Sequence, residues 1–281
     1  MTTLRDLQAI IIDMDGVLYR GNTAVPGAAE FLSWLTERSF PFLLLTNNST
    51  LDALAYERRL AAMGISVPAS RILTSASATA DYVMRNYGPG TRVFMVGESG
   101  LESSLRERGL IVTDEDPEVV VVGLDRQLTY ARLRDATLAI RAGAAFIATN
   151  PDRTLPTEVG QVPGAGAIVA ALVAATDVTP KIIGKPEPPM LEMALGRLGQ
   201  PREQTAVLGD RLETDILGGQ RLGLPTILVL SGVTHEAPGP GCEVCPTWVF
   251  SSVRELLAEW RAEMVEIGLA QRVVGGVTTP S

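Results

Sequence analysis

The sequence predicts an α/β protein built on parallel sheets, and two observations support this. Short apolar runs, the first of them at residues 9–12, alternate with helical stretches along nearly all of the 281 residues. Hydrophobic residues make up 46% of the chain and aromatic residues only 5%, which fits a core of aliphatic side chains. A chain of this length forms one large domain or two smaller ones.

The first apolar run leads directly into Asp13-Met14-Asp15-Gly16. Within a strand the two aspartates would point to opposite faces, and burying an unpaired carboxylate is costly. We therefore expect Asp13 and Asp15 at the C-terminal end of a strand, where open α/β sheets bind their ligands. Gly16 would allow a sharp turn there. Taken alone, the pattern also fits an Asp-Gly turn or a helix cap.

Three further segments carry polar residues at the ends of predicted elements. An apolar strand at 42–45 ends in Thr-Asn-Asn-Ser, and a strand at 206–208 ends in Gly-Asp-Arg-Leu-Glu-Thr-Asp. Lys185 lies between Gly184 and Pro186, just before a helical stretch. Each segment alone has an ordinary structural interpretation; the Thr-Asn-Asn-Ser segment, for example, also reads as a capped turn before a helix.

In this order, Asp-x-Asp-Gly, a strand-end Thr-Asn, Gly-Lys-Pro and Gly-Asp-x4-Asp resemble the four-part signature of the haloacid dehalogenase (HAD) superfamily. Segments 15–21 and 184–188 resemble the branch that contains NagD and the p-nitrophenyl phosphatases, as do segments 148–152 and 163–167. The resemblance covers roughly residues 7 to 260. It implies a Rossmann-like, parallel-sheet HAD core.

The spacing of the motifs places a second unit inside this core. Only a loop and a helix fit between Asp15 and Thr46, whereas well over a hundred residues separate Asn47 from Lys185. In the superfamily, an insertion at this point implies an α/β cap of class IIA. We therefore expect a discontinuous core of residues 1–78 and 181–265, an inserted α/β cap domain of residues 79–180, and a flexible tail of residues 266–281.

The remaining elements follow the same alternation. Apolar residues three or four positions apart predict helices at 28–38, 52–62, 76–87, 101–108, 130–142, 165–175 and 253–260. Short apolar runs predict strands at 93–96, 119–122, 146–149 and 226–230. Residues 150–164 read as a long loop. The Gly164-x-Gly166 pair at its end is interpreted as a closely packed helix start, because no strand leads into it as a dinucleotide fingerprint would require.

Charge and composition exclude several classes of protein. The net charge of −8 and the absence of a Lys/Arg cluster argue against a nucleic-acid binder. No apolar stretch approaches the roughly 20 residues that span a bilayer, and the first residues lack a long apolar segment, so we expect a cytoplasmic enzyme. Cys242 and Cys245 are interpreted as an incidental loop pair, reduced in the cytosol. With His235 they offer only three ligands, too few for a structural zinc site.

The resemblance implies a Mg²⁺-dependent phosphomonoesterase that acts on a small phosphorylated metabolite. Asp13 would be the nucleophile that forms an aspartyl-phosphate, since carboxylates can be phosphorylated directly. Asp15 would protonate the leaving oxygen and later activate water, and burial would raise its pKa towards the range that this role needs.

Mg²⁺ takes near-octahedral oxygen ligands. The resemblance implies three of them, the carboxylates of Asp13 and Asp210 and the main-chain carbonyl of Asp15. Asp215 would support these ligands without binding the metal itself, although Glu213 could serve instead. An acidic residue at the start of a helix is also favoured for structural reasons alone.

Phosphate oxygens would contact the Thr46 hydroxyl and the segment of Asn47 and Asn48. Lys185 would add a positive charge that screens Asp13 from the phosphate. The loop after residue 149 would read the substrate, through Asn150, Asp152 and Leu155, because α/β domains present ligand-contacting loops at strand C-termini.

Two alternatives remain at this stage. A dehalogenase would need neither metal nor the second and third acids, so Asp15 and Asp210 count against it. A catalytically silent metabolite-binding protein would be expected to lack an acid or Lys185, all of which are present. The sequence does not choose the substrate. Homodimers are common in the family, and the sequence leaves the oligomeric state open.

Overall fold

The computed structural model describes residues 3–157 and 159–274. Within them, the strands in chain order are β1 (Ala9–Asp13), β2 (Tyr19–Arg20), β3 (Thr23–Ala24), β4 (Phe42–Thr46), β5 (Ile72–Thr74), β6 (Arg92–Val96), β7 (Ile111–Val112), β8 (Val119–Val122), β9 (Ala145–Ala148), β10 (Thr154–Thr157), β11 (Gly160–Pro163), β12 (Lys181–Ile182), β13 (Thr205–Gly209), β14 (Thr226–Val229) and β15 (Trp248–Phe250).

The helices of the same residues, in chain order, are α1 (Ala28–Glu37), α2 (Ala53–Ala62), α3 (Ser75–Tyr87), α4 (Ser99–Glu107), α5 (Tyr130–Arg141), α6 (Ala165–Thr176), α7 (Pro188–Leu198), α8 (Leu217–Arg221) and α9 (Val253–Val274). A single wide turn, Leu212–Ile216, leads into α8. This alternation confirms the predicted α/β fold.

The first sheet has six parallel strands in the order β15-β14-β13-β1-β4-β5. β1 lies inside it, between β13 and β4, and all five of its residues are buried. A strand covered on both faces has to be apolar at every position, which explains the uninterrupted run at 9–12. Ile12 pairs with Leu208 of β13 and Leu44 of β4, so these three strands end at one edge.

The second sheet has five parallel strands in the order β12-β9-β8-β6-β7. Its central strand, β8, consists of four buried valines. β12 also belongs to this sheet, since Lys181 and Ile182 pair with β9. The chain therefore leaves the second sheet slightly after residue 181, where the sequence predicted its return to the first unit.

Apolar packing joins the two sheets. Ile10 and Ile12 of β1 face a cluster that includes Trp260 of α9. Ile11, on the opposite face, belongs to a second cluster that also contains Val93 and residues of α3, α4 and α7. Successive residues of a strand point to opposite faces, so one strand contributes to both clusters. The second cluster thus runs from the first sheet to the second, and holds the two units together.

Two predictions about irregular segments are wrong. The predicted loop at 150–164 contains the antiparallel hairpin β10–β11, in which Pro156 pairs with Gln161. A two-stranded hairpin tolerates proline because its strands are both edges. The final helix was expected to end at Trp260 and a tail to begin at 266, but α9 continues to Val274. Residues 275–281 of the predicted tail lie outside the described residues.

The prediction of two reduced thiols is also wrong. The structure joins Cys242 and Cys245 in a disulfide. The turn between them brings their Cα atoms to 5.5 Å, within the range that a disulfide bridges.

Within residues 3–157 and 159–274, no helix has both the length and the apolar character needed to cross a membrane.

Candidate active site

The C-terminal ends of β1, β4 and β13 bring the predicted site residues to one edge of the first sheet. Asp13 is the last residue of β1, Thr46 the last of β4, and Asp210 follows β13 directly. All three side chains are buried or nearly so, at 9%, 4% and 2% exposure. A cleft opens at this edge, and residues that follow strands of both sheets line it. This is the edge at which open α/β sheets bind ligands.

Lys185 forms a buried double ion pair at the base of the cleft. Its ammonium lies 2.5 Å from Asp13 Oδ1 and 2.6 Å from Asp215 Oδ1. Burial by itself would lower the pKa of Lys185, but the charges of Asp13 and Asp215 outweigh it and raise that pKa. Lys185 is therefore a permanent cation at this site. It reaches Asp13 through one carboxylate oxygen, and no hydrogen bond within the described residues occupies the other, Oδ2.

The acids outnumber this cation. Asp13, Asp210 and Asp215 are buried, and each has a carboxylate oxygen within 4.8 Å of the others. Burial raises the pKa of Asp13 well above its ordinary value against the attraction of Lys185, and the charges of Asp215 and Asp210 raise it further. Burial and the charge of Asp215 likewise raise the pKa of Asp210 to about 7. When all three acids are ionised, Lys185 can neutralise only one of them, and such clustered carboxylate oxygens are the ligands that a hard divalent cation takes.

Asp215 and Glu213 differ in position. Asp215 is 1% exposed and accepts a hydrogen bond from the main-chain N–H of Arg211 at 3.2 Å, in addition to its pair with Lys185. Glu213 is exposed and does not line the cleft. Of the two acids considered from the sequence, Asp215 is the one that the structure places within the cluster.

Asp15 lines the cleft with an exposed side chain, next to the hairpin β2–β3. Arg59 of α2 holds this hairpin by donating a hydrogen bond to Gly21 O at 2.7 Å and by lying 4.9 Å from the centre of the Tyr19 ring. Partial burial raises the pKa of Asp15, while Arg59 and Arg211 act in the opposite direction. A raised pKa keeps a proton available nearer to neutral pH, as an acid–base group requires.

The segment after β4 forms a tight polar turn. Asn48 N donates to Thr46 Oγ1 at 3.1 Å, and Thr50 N donates to Asn48 Oδ1 at 2.9 Å. The side chain of Asn47 exchanges two hydrogen bonds with the main chain of Lys185, each of 2.9 Å, and donates to Asp152 as well. Asn47 therefore links the segment to Lys185 and to the second unit, and its side-chain amide has only protein partners.

The residues predicted to read the substrate fall into two groups. Asp152 and Leu155 line the cleft and are half-buried. Burial raises the pKa of Asp152, although its hydrogen bond from Asn47 lowers it. Asn150 is 3% exposed, and its amide donates to Asn47 O at 2.7 Å and accepts from Asp152 N at 3.1 Å. Asn150 lines the cleft as well, and its role towards a substrate stays a prediction, although these protein partners already take up several of its hydrogen bonds.

Sequence reasoning missed Arg211, which lines the cleft and whose charge acts on the carboxylate of Asp152. Its signal was its position directly after Asp210 at the end of β13, where a side chain has access to the same edge of the sheet. It also missed Ser75, whose hydroxyl donates to Asn47 O at 2.5 Å from the first residue of α3. No sequence signal connects Ser75 with a residue 28 positions away.

Comparisons with known proteins agree with this geometry. A family model described as haloacid dehalogenase-like hydrolase matches residues 10–111, and one described as HAD-hydrolase-like matches residues 182–256. Acid sugar phosphatases of Staphylococcus aureus and Staphylococcus saprophyticus are 41% identical to the chain over 257 residues, which are 91% of this chain and 99% of theirs.

Solved structures give the same result. A hypothetical protein of Pyrococcus horikoshii is 46% identical with a TM-score of 0.84, over 90% of this chain and 99% of that one. A 4-nitrophenylphosphatase of Thermotoga maritima is 38% identical with a TM-score of 0.84, over 90% and 97%. NagD of Escherichia coli is 38% identical with a TM-score of 0.83, over 89% and 98%.

Proposed function

Because the chain belongs to the haloacid dehalogenase-like hydrolase family, we propose that it hydrolyses small phosphate esters with Mg²⁺ through an aspartyl-phosphate intermediate. Its phosphatase relatives identify it as a phosphomonoesterase. The observation that supports the finer mechanism is Asp13, a buried carboxylate with one oxygen on Lys185 and the other without a hydrogen bond in the described residues. That arrangement suits an in-line nucleophile.

In the proposed reaction a carboxylate oxygen of Asp13 attacks phosphorus, and the bond between phosphorus and the ester oxygen breaks. Asp15 gives its proton to that leaving oxygen. Water then attacks the phosphorus of the aspartyl-phosphate and loses a proton to Asp15, which releases inorganic phosphate and restores Asp13. The raised pKa of Asp15 supports its role, because the group has to carry a proton when the ester arrives.

Phosphate oxygens are proposed to contact the Thr46 hydroxyl, the Asn47 and Asn48 segment, and Lys185. Charge on these oxygens is spread in a loose transition state, so donors fixed in advance stabilise it without reorganisation. The buried ammonium of Lys185 also offsets the charge of Asp13 that would otherwise repel the phosphate.

We propose that the carboxylates of Asp13 and Asp210 and the main-chain carbonyl of Asp15 hold Mg²⁺. The clustering of three buried carboxyl groups around one lysine and the raised pKa of Asp210 support this. When bound, Mg²⁺ would offset charge on the phosphate and on these acids. Asp215 is proposed to support the site by holding Lys185 and the turn at Arg211.

The division into a core of residues 1–78 and 181–265 and a cap of residues 79–180 remains a proposal. Its support is the presence of two separate parallel sheets, with β12 as the strand that leads back to the core. In this arrangement Asp152 and Leu155 of the cap face the leaving group. The acid sugar phosphatases among the relatives make phosphorylated sugars the first compounds to test. A cytoplasmic location and a homodimer stay predictions.

Turnover of p-nitrophenyl phosphate tests the reaction. Activity should vanish with EDTA and return with Mg²⁺ but not with Ca²⁺, which prefers more ligands at longer distances. Asp13→Asn should lower kcat by about three decades or more, as for removal of a covalent nucleophile. Quenching the reaction with acid should trap phosphate on Asp13 in the wild type.

The matched control is Asp177→Asn, which removes an exposed carboxylate outside the cleft and should keep wild-type turnover. An Asp13→Asn variant that retains a tenth of wild-type kcat would refute the nucleophile. Activity that is insensitive to chelation would refute the metal.

A further inference from the structure

The side chain of Asn150 joins the two units at the edge of the first sheet where the cleft opens. Asn150 follows β9 of the second sheet, yet its Nδ2 donates a 2.7 Å hydrogen bond to the main-chain carbonyl of Asn47, which follows β4 of the first. The two residues are 103 positions apart and are 3% and 9% exposed. A buried hydrogen bond between main chain and side chain restricts both segments, because breaking it leaves polar groups without water.

We propose that Asn150 is a positioning residue of the catalytic centre, and that it holds the turn at residues 46–48 in the geometry that binds phosphate. The proposal rests on the proposed function, since it takes this turn as the phosphate-binding segment. It assigns Asn150 to the chemistry shared by all substrates. The specificity role expected from its place in the cap loop would then fall to Asp152 and Leu155.

An amide is the group that this position requires. Nδ2 donates to Asn47 O and also lies 3.2 Å from Thr149 Oγ1, while Oδ1 accepts from Asp152 N. A carboxylate of the same shape would keep the acceptor for Asp152 N but would lose the donor for Asn47 O. Both ends of the amide have partners within the protein, so although Asn150 lines the cleft, only the second lone pair of Oδ1 is left for a ligand.

A second donor reaches the same carbonyl from the first unit. Ser75 Oγ, fully buried at the start of α3, donates to Asn47 O at 2.5 Å. The side chain of Asn47 is meanwhile fixed by the main chain of Lys185. Because Thr46 and Asn48 flank Asn47, a shift of this carbonyl would move the Thr46 hydroxyl relative to Asp13. Displacements of about 1 Å in such sites lower rates by up to about a hundredfold.

Two variants separate positioning from specificity. Asn150→Ala removes both hydrogen bonds, and Asn150→Asp removes only the donor. We would measure kcat and KM for p-nitrophenyl phosphate and for glucose 6-phosphate, and the inhibition constant of inorganic phosphate, well below the unfolding temperature. The control is Asn86→Ala, because the Asn86 amide also donates to a main-chain carbonyl but is exposed on α3, outside the cleft.

Asn150→Ala should lower kcat about tenfold on both substrates, raise the phosphate inhibition constant several-fold, and leave the ratio of their kcat/KM values unchanged. Asn150→Asp should lower kcat further than Asn150→Ala does, since its carboxylate would face the Asn47 carbonyl. Asn86→Ala should match the wild type. A merely structural role would lower the melting temperature without moving kcat or the phosphate inhibition constant, and that result would overturn the proposal.

Other outcomes also decide. A changed substrate ratio with an unchanged phosphate inhibition constant would make Asn150 a specificity residue. A fully active Asn150→Asp variant would show that only the hydrogen bond from Asp152 N to Oδ1 matters, and it would overturn the proposal. If Asn150→Ala does not fold, Ser75→Ala acts on the same carbonyl and should give the same pattern, and its failure to do so would overturn the proposal. None of these results alters the proposed function, which stands or falls with Asp13→Asn and the wild-type turnover.

Discussion

Gly16 lies against Asp210 so closely that a Cβ atom on Gly16 would be 2.2 Å from Asp210 Oδ2. Gly16 also has a φ of +81°, a conformation that residues with a side chain rarely adopt. The glycine of the first motif thus makes room for the acid of the last one. The two motifs are almost two hundred residues apart, and their contact couples the turn after β1 to the acid cluster.

Gly16→Ala should therefore impair both stability and catalysis. The positive φ alone costs roughly 1–3 kcal/mol for a residue with a Cβ. The contact with Asp210 would in addition displace a carboxylate that we propose to hold Mg²⁺. We expect a lower melting temperature and a weaker activation by Mg²⁺, measured by thermal unfolding and by a Mg²⁺ titration of turnover.

Gly64→Ala separates the two effects. Gly64 has a φ of +78°, but nothing lies within 4 Å of the position of its Cβ. This variant should lose stability through backbone strain alone and keep the wild-type Mg²⁺ dependence. An equal loss of Mg²⁺ activation in both variants would show that the contact between Gly16 and Asp210 has no catalytic consequence.

Lys185→Met should lower kcat by about a hundredfold or more, because its removal leaves Asp13 and Asp215 buried without a positive partner. The chain contains only two lysines, and the other, Lys181, is exposed on β12. Lys181→Met is the matched control and should keep wild-type turnover. Steady-state kinetics measure both variants, and a Lys185→Met variant within threefold of the wild type would contradict the role of Lys185.

Asp15→Asn should show a loss that depends on the leaving group. An alkyl phosphate needs a proton on its departing oxygen, so its kcat should fall by roughly 10²–10⁴-fold, the usual range for acid–base catalysis. The nitrophenolate of p-nitrophenyl phosphate leaves without much help, and its loss should be clearly smaller. The two esters assayed on one preparation are each other's control. Equal losses would argue that Asp15 does not protonate the leaving oxygen.

The raised pKa of Asp210 makes stability depend on pH. In the folded protein that pKa is about 7, against an ordinary value of 3.8, so the folded state binds the proton more tightly than the unfolded state. The stabilising contribution is complete below about pH 4 and is lost as the pH rises towards 7. Measured without metal, the wild type should lose stability on the order of 3 kcal/mol relative to Asp210→Asn between pH 4.5 and 7.5.

The same linkage predicts the effect of Mg²⁺. Cations bind the ionised carboxylates, so the rise in melting temperature on adding Mg²⁺ should be larger at pH 8 than at pH 5 in the wild type. Asp210→Asn should show little rise at either pH. A wild-type stability that is flat over this range without metal would contradict the pKa of Asp210.

The sequence predicted those parts of the structure that local pattern determines. The interior positions of β1, β4, β8 and β13 are apolar because both faces are covered, and the ends of three of these strands bring Asp13, Thr46 and Asp210 to one edge of the sheet. The hairpin β10–β11 escaped prediction because Pro156 and the glycines of that segment are typical of a loop. The disulfide was missed because a thiol pair in a loop has no periodicity to identify it.

The role that we propose for Asn150 could not be predicted from the sequence, for another reason. Its position after β9 correctly predicted a place at the ligand edge. Whether a side chain at that edge faces the ligand or another protein segment depends on contacts between residues far apart in the chain, here Asn47 and Asn150. Local pattern carries no information on such contacts, so the side chain was assigned to the substrate by default.

Leu155 gives the clearest test of the cap. It lies in β10 and lines the cleft, where we propose that it contacts the alcohol that leaves, while Thr46, the Asn47 and Asn48 segment and Lys185 are proposed to hold the phosphate. Leu155→Ala should change KM, or the ranking among a panel of phosphorylated sugars and aryl phosphates, by factors of about ten, the scale of one or two lost contacts. The Mg²⁺ dependence and the phosphate inhibition constant should not change, because neither involves the leaving group.

Leu138→Ala is the matched control, since Leu138 is 59% exposed on α5 and does not line the cleft. If Leu155→Ala and Leu138→Ala rank the panel as the wild type does, substrate choice is made elsewhere in the cleft, and Arg211, a cation that lines the cleft, becomes the next residue to replace.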